Sequence, residues 1–595
     1  MDLTKLSDIG VVSTDHLESL VSRGYAFNAL EVSHESEIDA PGLALVQVDD
    51  LHSIDSLIRQ DSVTKFELDI GWTQYQSINS VVIRGPIIQQ HALVYAQSIA
   101  PILKTHPYLE LSILLPLCPT PLIGEVADND DNTLATWEIW DTIRSVCEYS
   151  SRLHVALEIP TRLPSLDTQS RWLSEDVRQL FLSASVFLVN NKGYPVLPKA
   201  HQAYVQAACK FGPTIVLQDI DKHQRLGGDD AYLQYMRYIL KNAPAPSVAE
   251  TIAPGYQDFL QQPLQPLQDN LSSSTYEVFE RDPVKYAQYE KAIFHALSDR
   301  PRGQQTFVAV VGAGRGPLVD CCLRAADDSD TPIVLFAIEK NPHAVQGLRR
   351  RMKNEWKGKV TLVETDMRHW QPEEYVDILV SELLGSFGDN ELSPECLDGV
   401  QHVLNPASGV SIPSRYTPFI SPLMTPKIYQ GLRHSSAEAK ETPYVVLLSQ
   451  CSLLSPTFEP LWHFHHPCDQ SGSSEDRQLR NKRYGRATFH CESKGVCHGV
   501  AGYFESILYG DVELSTVPDT IDTKSPDMVS WFPIFFPLTK PLFVPADASA
   551  EVHFWRETDG RKVWYEYLVE IWLGDVKIST SDLINQRGTK SSIGL

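Results

Sequence analysis

Residues 306–320 read TFVAVVGAGRGPLVD, an apolar run followed at once by Gly312, Gly314 and Gly316 and then by the start of a helical pattern. A continuous apolar run is how a strand buried on both faces of a parallel sheet reads. Glycines straight after it permit a tight turn and let a ligand approach the backbone and the next helix N-terminus. The following run, IVLFAIEKN, ends at Glu339, the offset at which an acidic side chain can bind two ribose hydroxyls. A third, VTLVETDM, closes on Asp366 and Met367, a polar and apolar pair suited to an adenine amino group and ring face. The fourth, VDILV, runs into SELLGSFGDNELSPECLD at 381–398, which sets Glu382 and Glu391 on either side of a Gly-Ser-Phe-Gly turn.

Four strand ends carrying a glycine turn, an acid, Asp-Met and a polar loop predict a nucleoside-type cofactor across the carboxyl edge of a doubly wound, Rossmann-like sheet. The order G-A-G-R-G-P misplaces the third glycine of a dinucleotide fingerprint, and the spacing suits S-adenosylmethionine. Two carboxylates flanking a turn are a means of aiming negative charge at one small cation, and an arginine guanidinium is the working candidate. Upstream, YEVFERDPVKYAQYEKAIFHAL at 276–297 has helical spacing; Tyr276 and Phe279 precede its regular part and are candidates for a cofactor lid.

Outward from this core, residues 243–274 are rich in Pro and Gln and read as a linker. Before them, apolar runs beginning at 27, 43, 80, 111, 154, 185 and 214 alternate with helical stretches, which predicts a TIM-like (β/α) barrel over 1–242; an open doubly wound sheet is the alternative. Its strand ends, His34, Asp49, Arg84, Glu158, Asn190 and Asp219, hold isolated charges and no phosphate loop, so this part reads as a scaffold or docking domain. With 275–411 as the Rossmann-like cofactor domain, 412–595 shows alternating patterns of an antiparallel β-barrel or sandwich. SGSSEDRQLRNKR at 471–483 reads as a polar loop. The cluster His463, His465, His466 and Cys468 lacks a second ligand pair at zinc-like spacing and reads as a surface strand end, so no metal is expected.

The chain of 595 residues has 51 Lys plus Arg against 75 Asp plus Glu, a net charge of −24. That balance disfavours a nucleic-acid partner and suits basic ones. Ten scattered cysteines without a C-x-x-C pair indicate a reducing compartment. The N-terminus lacks the basic and apolar regions of a signal peptide, and no run reaches membrane-span length, so a cytoplasmic and nuclear protein without a membrane partner is expected.

GAGRGPLVD, EKNP, DMR, SELLGSFGDNELSPECLDG, SWFPIFFP and VWYEY, in this order, resemble the symmetric-dimethylating (type II) protein arginine methyltransferases, in a fungal-type member. The resemblance is densest from about residue 255 to the C-terminus. It implies methyl transfer from S-adenosylmethionine, leaving S-adenosylhomocysteine, to arginine of Arg-Gly-rich proteins or histone tails. It further implies that Glu382 and Glu391 hold the guanidinium, that Tyr276, Lys285, Gly312, Gly314, Glu339, Asp366 and Met367 line the cofactor, and that Trp564 stacks on the substrate. Phe279 stands where this family has the phenylalanine associated with symmetric dimethylation. The family also implies a barrel that docks a β-propeller partner, and assembly into a homo-oligomer, a dimer or tetramer. A non-catalytic scaffold that kept the cofactor fold, and a methyltransferase for small molecules or nucleic acid, are the competing readings; neither calls for this paired set of carboxylates.

Overall fold

The computed structural model describes residues 9–11, 27–29, 43–48, 50–75, 78–119, 134–219, 228–468 and 479–595. It divides into two compact units. The first comprises 1–245 with 426–433 and 450–452; the second comprises 246–425, 434–449 and 453–595.

In the first unit, eight strands lie in the order Ile9–Val11, Thr214–Gln218, Val177–Ser183, Leu153–Glu158, Glu110–Pro116, Ser80–Arg84, Leu43–Val46 and Phe27–Ala29. All neighbours are parallel except the last pair. Val82, Leu114, Ala156, Phe181 and Val216 pack as one cluster with Leu43 and Leu45. One or two inward side chains from each of six strands fill the interior as a layer, as in a TIM-like barrel. Two strands differ from the sequence expectation. Ile9–Val11 lies ahead of the first expected run, and the place expected for the run at 185 is taken by Val177–Ser183, whose Leu180, Phe181 and Leu182 are buried. Leu188 and Val189 instead form an exposed two-stranded hairpin with Pro195 and Val196, which also carries Asn190 away from the sheet. His34 and Asp49 lie outside the described residues.

The second unit contains a five-stranded parallel sheet ordered Val360–Glu364, Ile333–Glu339, Thr306–Val311, Ile378–Ser381 and Val410–Ile412. Alternation along Thr306–Val311 sends Val308 and Val310 to a core with helices Pro283–Ser298 and Pro317–Asp328, and Ala309 and Val311 to a second core with Trp370, Leu397 and Val400. Both faces are therefore covered, and the carboxyl edge is left to bind. Beyond it, Arg415–Met424, Gly495–Tyr509 and Ile534–Val544 form an antiparallel sheet; Arg483–Cys491, Ala548–Thr558, Lys562–Leu573 and Val576–Thr580 form another. Residues 246–274, read from composition as a linker, fall within this unit. Asp258 and Gln261 donate backbone N–H groups to Leu447 and Val445 at 2.9 and 3.0 Å, so the prolines leave enough donors for local pinning. Of the polar stretch at 471–483, residues 471–478 lie outside the described residues. Among the described residues no helix is long and apolar enough to cross a membrane.

Candidate active site

A cavity of about 680 Å³ opens along the carboxyl edge of the parallel sheet. At its floor, Gly314 adopts a left-handed conformation at φ 56°, and a side chain there would begin 3.1 Å from the Tyr276 ring, so only glycine fits without displacing the tyrosine. Glu339 explains why this turn holds its shape: one carboxylate oxygen accepts the Gly314 N–H at 2.7 Å and the other the Asn341 N–H at 2.7 Å. Burial raises the Glu339 carboxyl above its ordinary value, with these backbone donors opposing. The Lys340 backbone N–H adds a third donor, so of about four acceptor positions on the carboxylate one is left for a ligand. Asp366 caps the 3₁₀ turn Met367–His369 and takes the Arg368 guanidinium through both oxygens, at 3.0 and 2.8 Å. Burial would raise its carboxyl, but Arg368 holds it below the usual range. Met367 and Leu383 approach the Gly312 position from the apolar side.

The loop after Ile378–Ser381 is set by its own turn and by a buried ionic network behind it. Gly385 and Gly388 pair through their backbones, and the Asn390 side chain fills the space against Gly385 while accepting the Phe387 N–H at 2.7 Å. Asp389, fully buried, accepts from Trp462 Nε1 at 2.7 Å and from the Tyr565 hydroxyl. Arg556 lies 3.5 Å from Asp389 and grips Glu395 with two bonds of 2.7 and 2.8 Å. Buried charges are tolerable only when paired in this way, and the pairing fixes the loop between residues 389 and 395.

The two glutamates then part company. Glu382 forms an ion pair with Lys285 at 3.3 Å. Glu391 has no side-chain partner among the described residues, and its carboxyl is pushed well above the ordinary value, chiefly by burial and then by the Glu382 charge, with Lys285 opposing. Phe279, Trp531, Glu382 and Glu391 all line the same cavity. Trp531 is locked there by its indole N–H, which donates to the Leu384 carbonyl at 2.8 Å. The preceding segment is tied to the Lys285 helix, since Asp282 caps that helix with one oxygen and accepts Val529 N–H and the Ser530 hydroxyl, each at 2.8 Å, with the other.

Comparisons with known proteins give the family. The family descriptions "PRMT5 TIM barrel domain", "PRMT5 arginine-N-methyltransferase" and "PRMT5 oligomerisation domain" match residues 28–242, 247–412 and 415–593. The chain is 42% identical to the Schizosaccharomyces pombe protein arginine N-methyltransferase skb1 over 557 residues, covering 92% of this chain and 88% of that one. The chain belongs to the PRMT5 family of arginine N-methyltransferases. Protein arginine N-methyltransferase 5 of Xenopus laevis is 43% identical over 76% of this chain and 73% of its own length. The rice protein of the same name, from Oryza sativa subsp. japonica, is 40% identical over 92% and 87%.

In this chain the cavity brings together Tyr276, Phe279, Lys285, Gly312, Gly314, Glu339, Asp366, Met367, Glu382 and Glu391. It does not include Trp564. That residue is on the strand Lys562–Leu573, its indole N–H donates to Glu566 at 2.8 Å, Lys562 covers its ring, and Gly588 packs so closely that a side chain there would start 2.6 Å from it. The aromatic wall of the cavity is Trp531, in the SWFP stretch. The VWYEY motif reaches the active-site loop through the next residue, Tyr565, which a strand points to the opposite face. His463 and His465 are exposed, whereas His466 turns inward to Tyr416 at 2.9 Å and burial lowers its pKa to about 3.

Proposed function

We propose that this protein transfers methyl groups from S-adenosylmethionine to arginine of Arg-Gly-rich proteins or histone tails, with Glu382 and Glu391 orienting the guanidinium. The observation that carries the reading is the unpartnered Glu391 near the paired Glu382, in one cavity with Phe279 and Trp531, on the loop that follows the strand next to the nucleotide-type floor. The cavity volume suits a nucleoside-sized ligand with part of a side chain. The spare acceptor position of Glu339, the glycine floor and the apolar Met367 and Leu383 fit a ribose and a base, and Lys285 keeps N–H donors for an anionic end. S-adenosylmethionine, when bound, supplies an electrophilic sulfonium methyl.

Arginine is a poor nucleophile because its charge is delocalised and its pKa exceeds about 12. Two carboxylates in a fork accept its N–H groups, concentrate the positive charge on their side and leave the other terminal nitrogen free to attack. Phe279 and Trp531 can hold the flat cation between ring faces. Holding reactants at attack distance is worth roughly 7–11 kcal/mol. As the nitrogen takes the methyl it sheds a proton, and Glu391, whose carboxyl is raised by burial, is a group placed to accept it.

The finer assignments follow the same reading: a symmetric dimethyl product governed by Phe279, a homo-oligomer formed through residues 415–593, a β-propeller partner on the barrel, and a cytoplasmic and nuclear location. Incubation with labelled S-adenosylmethionine and an Arg-Gly repeat peptide tests the core of it. Label should appear in the peptide and, after hydrolysis, in symmetric dimethylarginine. No incorporation at saturating peptide would favour a scaffold.

A further inference from the structure

The Lys285 side chain retains 2% of its exposure, and one of its three N–H donors has an acceptor among the described residues, Glu382 at 3.3 Å. The rings of Tyr286, Trp531 and Phe279 stand around the ammonium, with centroids 4.9, 5.0 and 5.6 Å away. One carboxylate and three aromatic faces are the recognition set for an organic cation. Glu382, Phe279 and Trp531 are also the groups assigned above to the substrate guanidinium. Two cations a few ångströms apart in so little water repel strongly, so the place of the substrate charge is already taken by one of the chain's own.

The other charged and titratable groups facing this spot are committed elsewhere or are not strong acceptors. Asp282 spends one oxygen on the Val284 and Lys285 backbone and the other on Val529 and Ser530. Glu280 lies 3.3 Å from Arg315. The Tyr289 hydroxyl donates to the Ser381 carbonyl, and burial keeps Tyr286 protonated. Glu391 feels Lys285 as a weaker influence than Glu382 and makes no bond to it. Buried donors without acceptors cost stability, so the missing acceptor has to enter with a ligand.

We propose that Lys285 is a resident cation of the substrate cage and leaves Glu382 for the amino-acid carboxylate of the cofactor, so that arginine enters only after the cofactor. This rests on the assignment of the cavity to S-adenosylmethionine and arginine. Its thermodynamic content is a coupling between two ligands through one side chain. Such coupling is reciprocal: the peptide must tighten the cofactor by the factor by which the cofactor tightens the peptide.

Calorimetric titration of an Arg-Gly repeat peptide tests it, on the full chain alone, with S-adenosylhomocysteine, and with 5′-methylthioadenosine, a nucleoside lacking the amino-acid carboxylate. In the wild type, S-adenosylhomocysteine should tighten the peptide about tenfold or more, and methylthioadenosine by less than about twofold. In Lys285→Met, the peptide should bind without cofactor about as tightly as to the loaded wild type, and S-adenosylhomocysteine should add nothing. Equal enhancement by both nucleosides, or enhancement that survives in Lys285→Met, overturns the proposal. If that variant does not melt cooperatively, the two wild-type nucleoside titrations decide. A wild type that binds neither S-adenosylhomocysteine nor peptide would refute the methyltransferase reading instead.

Discussion

Both units end parallel strands on charged residues, yet they treat those charges differently. In the barrel unit the strand ends Arg84 and Glu158 lie 3.5 Å apart and Asp219 accepts from Ser183 at 3.1 Å, while at the opposite, amino edge of the sheet His154 is held between Asp176 and Glu110 at 2.6 and 2.7 Å. At the carboxyl edge of the other sheet, Glu391 has no partner among the described residues and Lys285 has one acceptor for three donors. A strand end by itself is only a place where a site can be built. Charge left unsatisfied, at a cost in stability, marks where a ligand completes the structure.

The contrast breaks most directly at Glu391. Glu391→Gln should lower kcat/KM for the peptide by roughly 1000-fold, about 4 kcal/mol, while S-adenosylhomocysteine affinity stays unchanged by calorimetry. Unchanged turnover would end the double-carboxylate mechanism. The wild-type kcat/KM should fall as pH drops through the raised Glu391 value, above the usual carboxylate range of about 4.3, because the fork needs the ionised acid. Stability runs the other way: an acid with a raised folded-state pKa contributes fully below its unfolded pKa and loses that contribution as pH rises through the folded value. Glu391→Gln should therefore melt higher than wild type near pH 8, with the gap closing toward about pH 4.

Trp531 and Trp564 sharpen the comparison within the second unit. Trp531→Ala should cost about 3 kcal/mol, on the order of 100-fold in peptide kcat/KM, from a lost ring face and a lost bond to Leu384. Trp564→Phe should stay within about threefold, because that ring touches Gly588 and Lys562 rather than the cavity. A reversed ranking would reinstate Trp564 as the aromatic wall.

This pair also shows what the sequence could carry. Gly314, Glu339 and Asp366 were legible because each follows its strand at a spacing imposed by the sheet itself, and the cavity contains all three. Trp531 was not, since SWFP and VWYEY are equally aromatic stretches and only tertiary packing decides which indole meets the loop. For the same reason nothing in the proline-rich stretch marks Tyr256, Gln261 and Leu264 as the cavity-wall residues they are. In the barrel, the run at 185 is as apolar as VRQLFLS at 177–183, and the packing of Phe181 in the interior layer distinguishes them. The signal that could have found the strand is the continuous apolar run of Leu180, Phe181 and Leu182 between polar neighbours, the pattern of a strand buried on both faces.

His154 probes the satisfied side of the contrast. Burial alone would lower its pKa, but hydrogen bonds to Asp176 and Glu110 outweigh that and raise it, while both acids are held low. A raised histidine contributes stability that is full below about 6.5 and is lost as pH rises through its folded value; the lowered acids contribute above about 4 and lose it below. His154→Gln should thus cost about 1–3 kcal/mol near pH 6 and less near pH 9. Hydrogen exchange across 110–116 and 153–158 would report it, with S-adenosylhomocysteine affinity unmoved. An equal loss at both pH values would mean that His154 acts by shape, not charge.

A change of product more than of rate is expected at Phe279, on the helix Ser273–Glu280, which buries none of its residues. Its ring stands edge-on to Tyr276 at 6.5 Å and faces the Lys285 ammonium at 5.6 Å, so it forms one wall of the cage. Methionine is narrower and flexible, and would widen that side without removing the carboxylate fork. A guanidinium already carrying one methyl could then present the same nitrogen again. Phe279→Met should keep total methyl transfer within about tenfold of wild type and divert a minor fraction, about a tenth of the dimethyl product, to the asymmetric isomer. Mass spectrometry of the hydrolysed peptide distinguishes the two isomers. Only the symmetric one would mean that Phe279 is a wall of the cation cage and that product geometry is set by the backbone of the 381–398 loop.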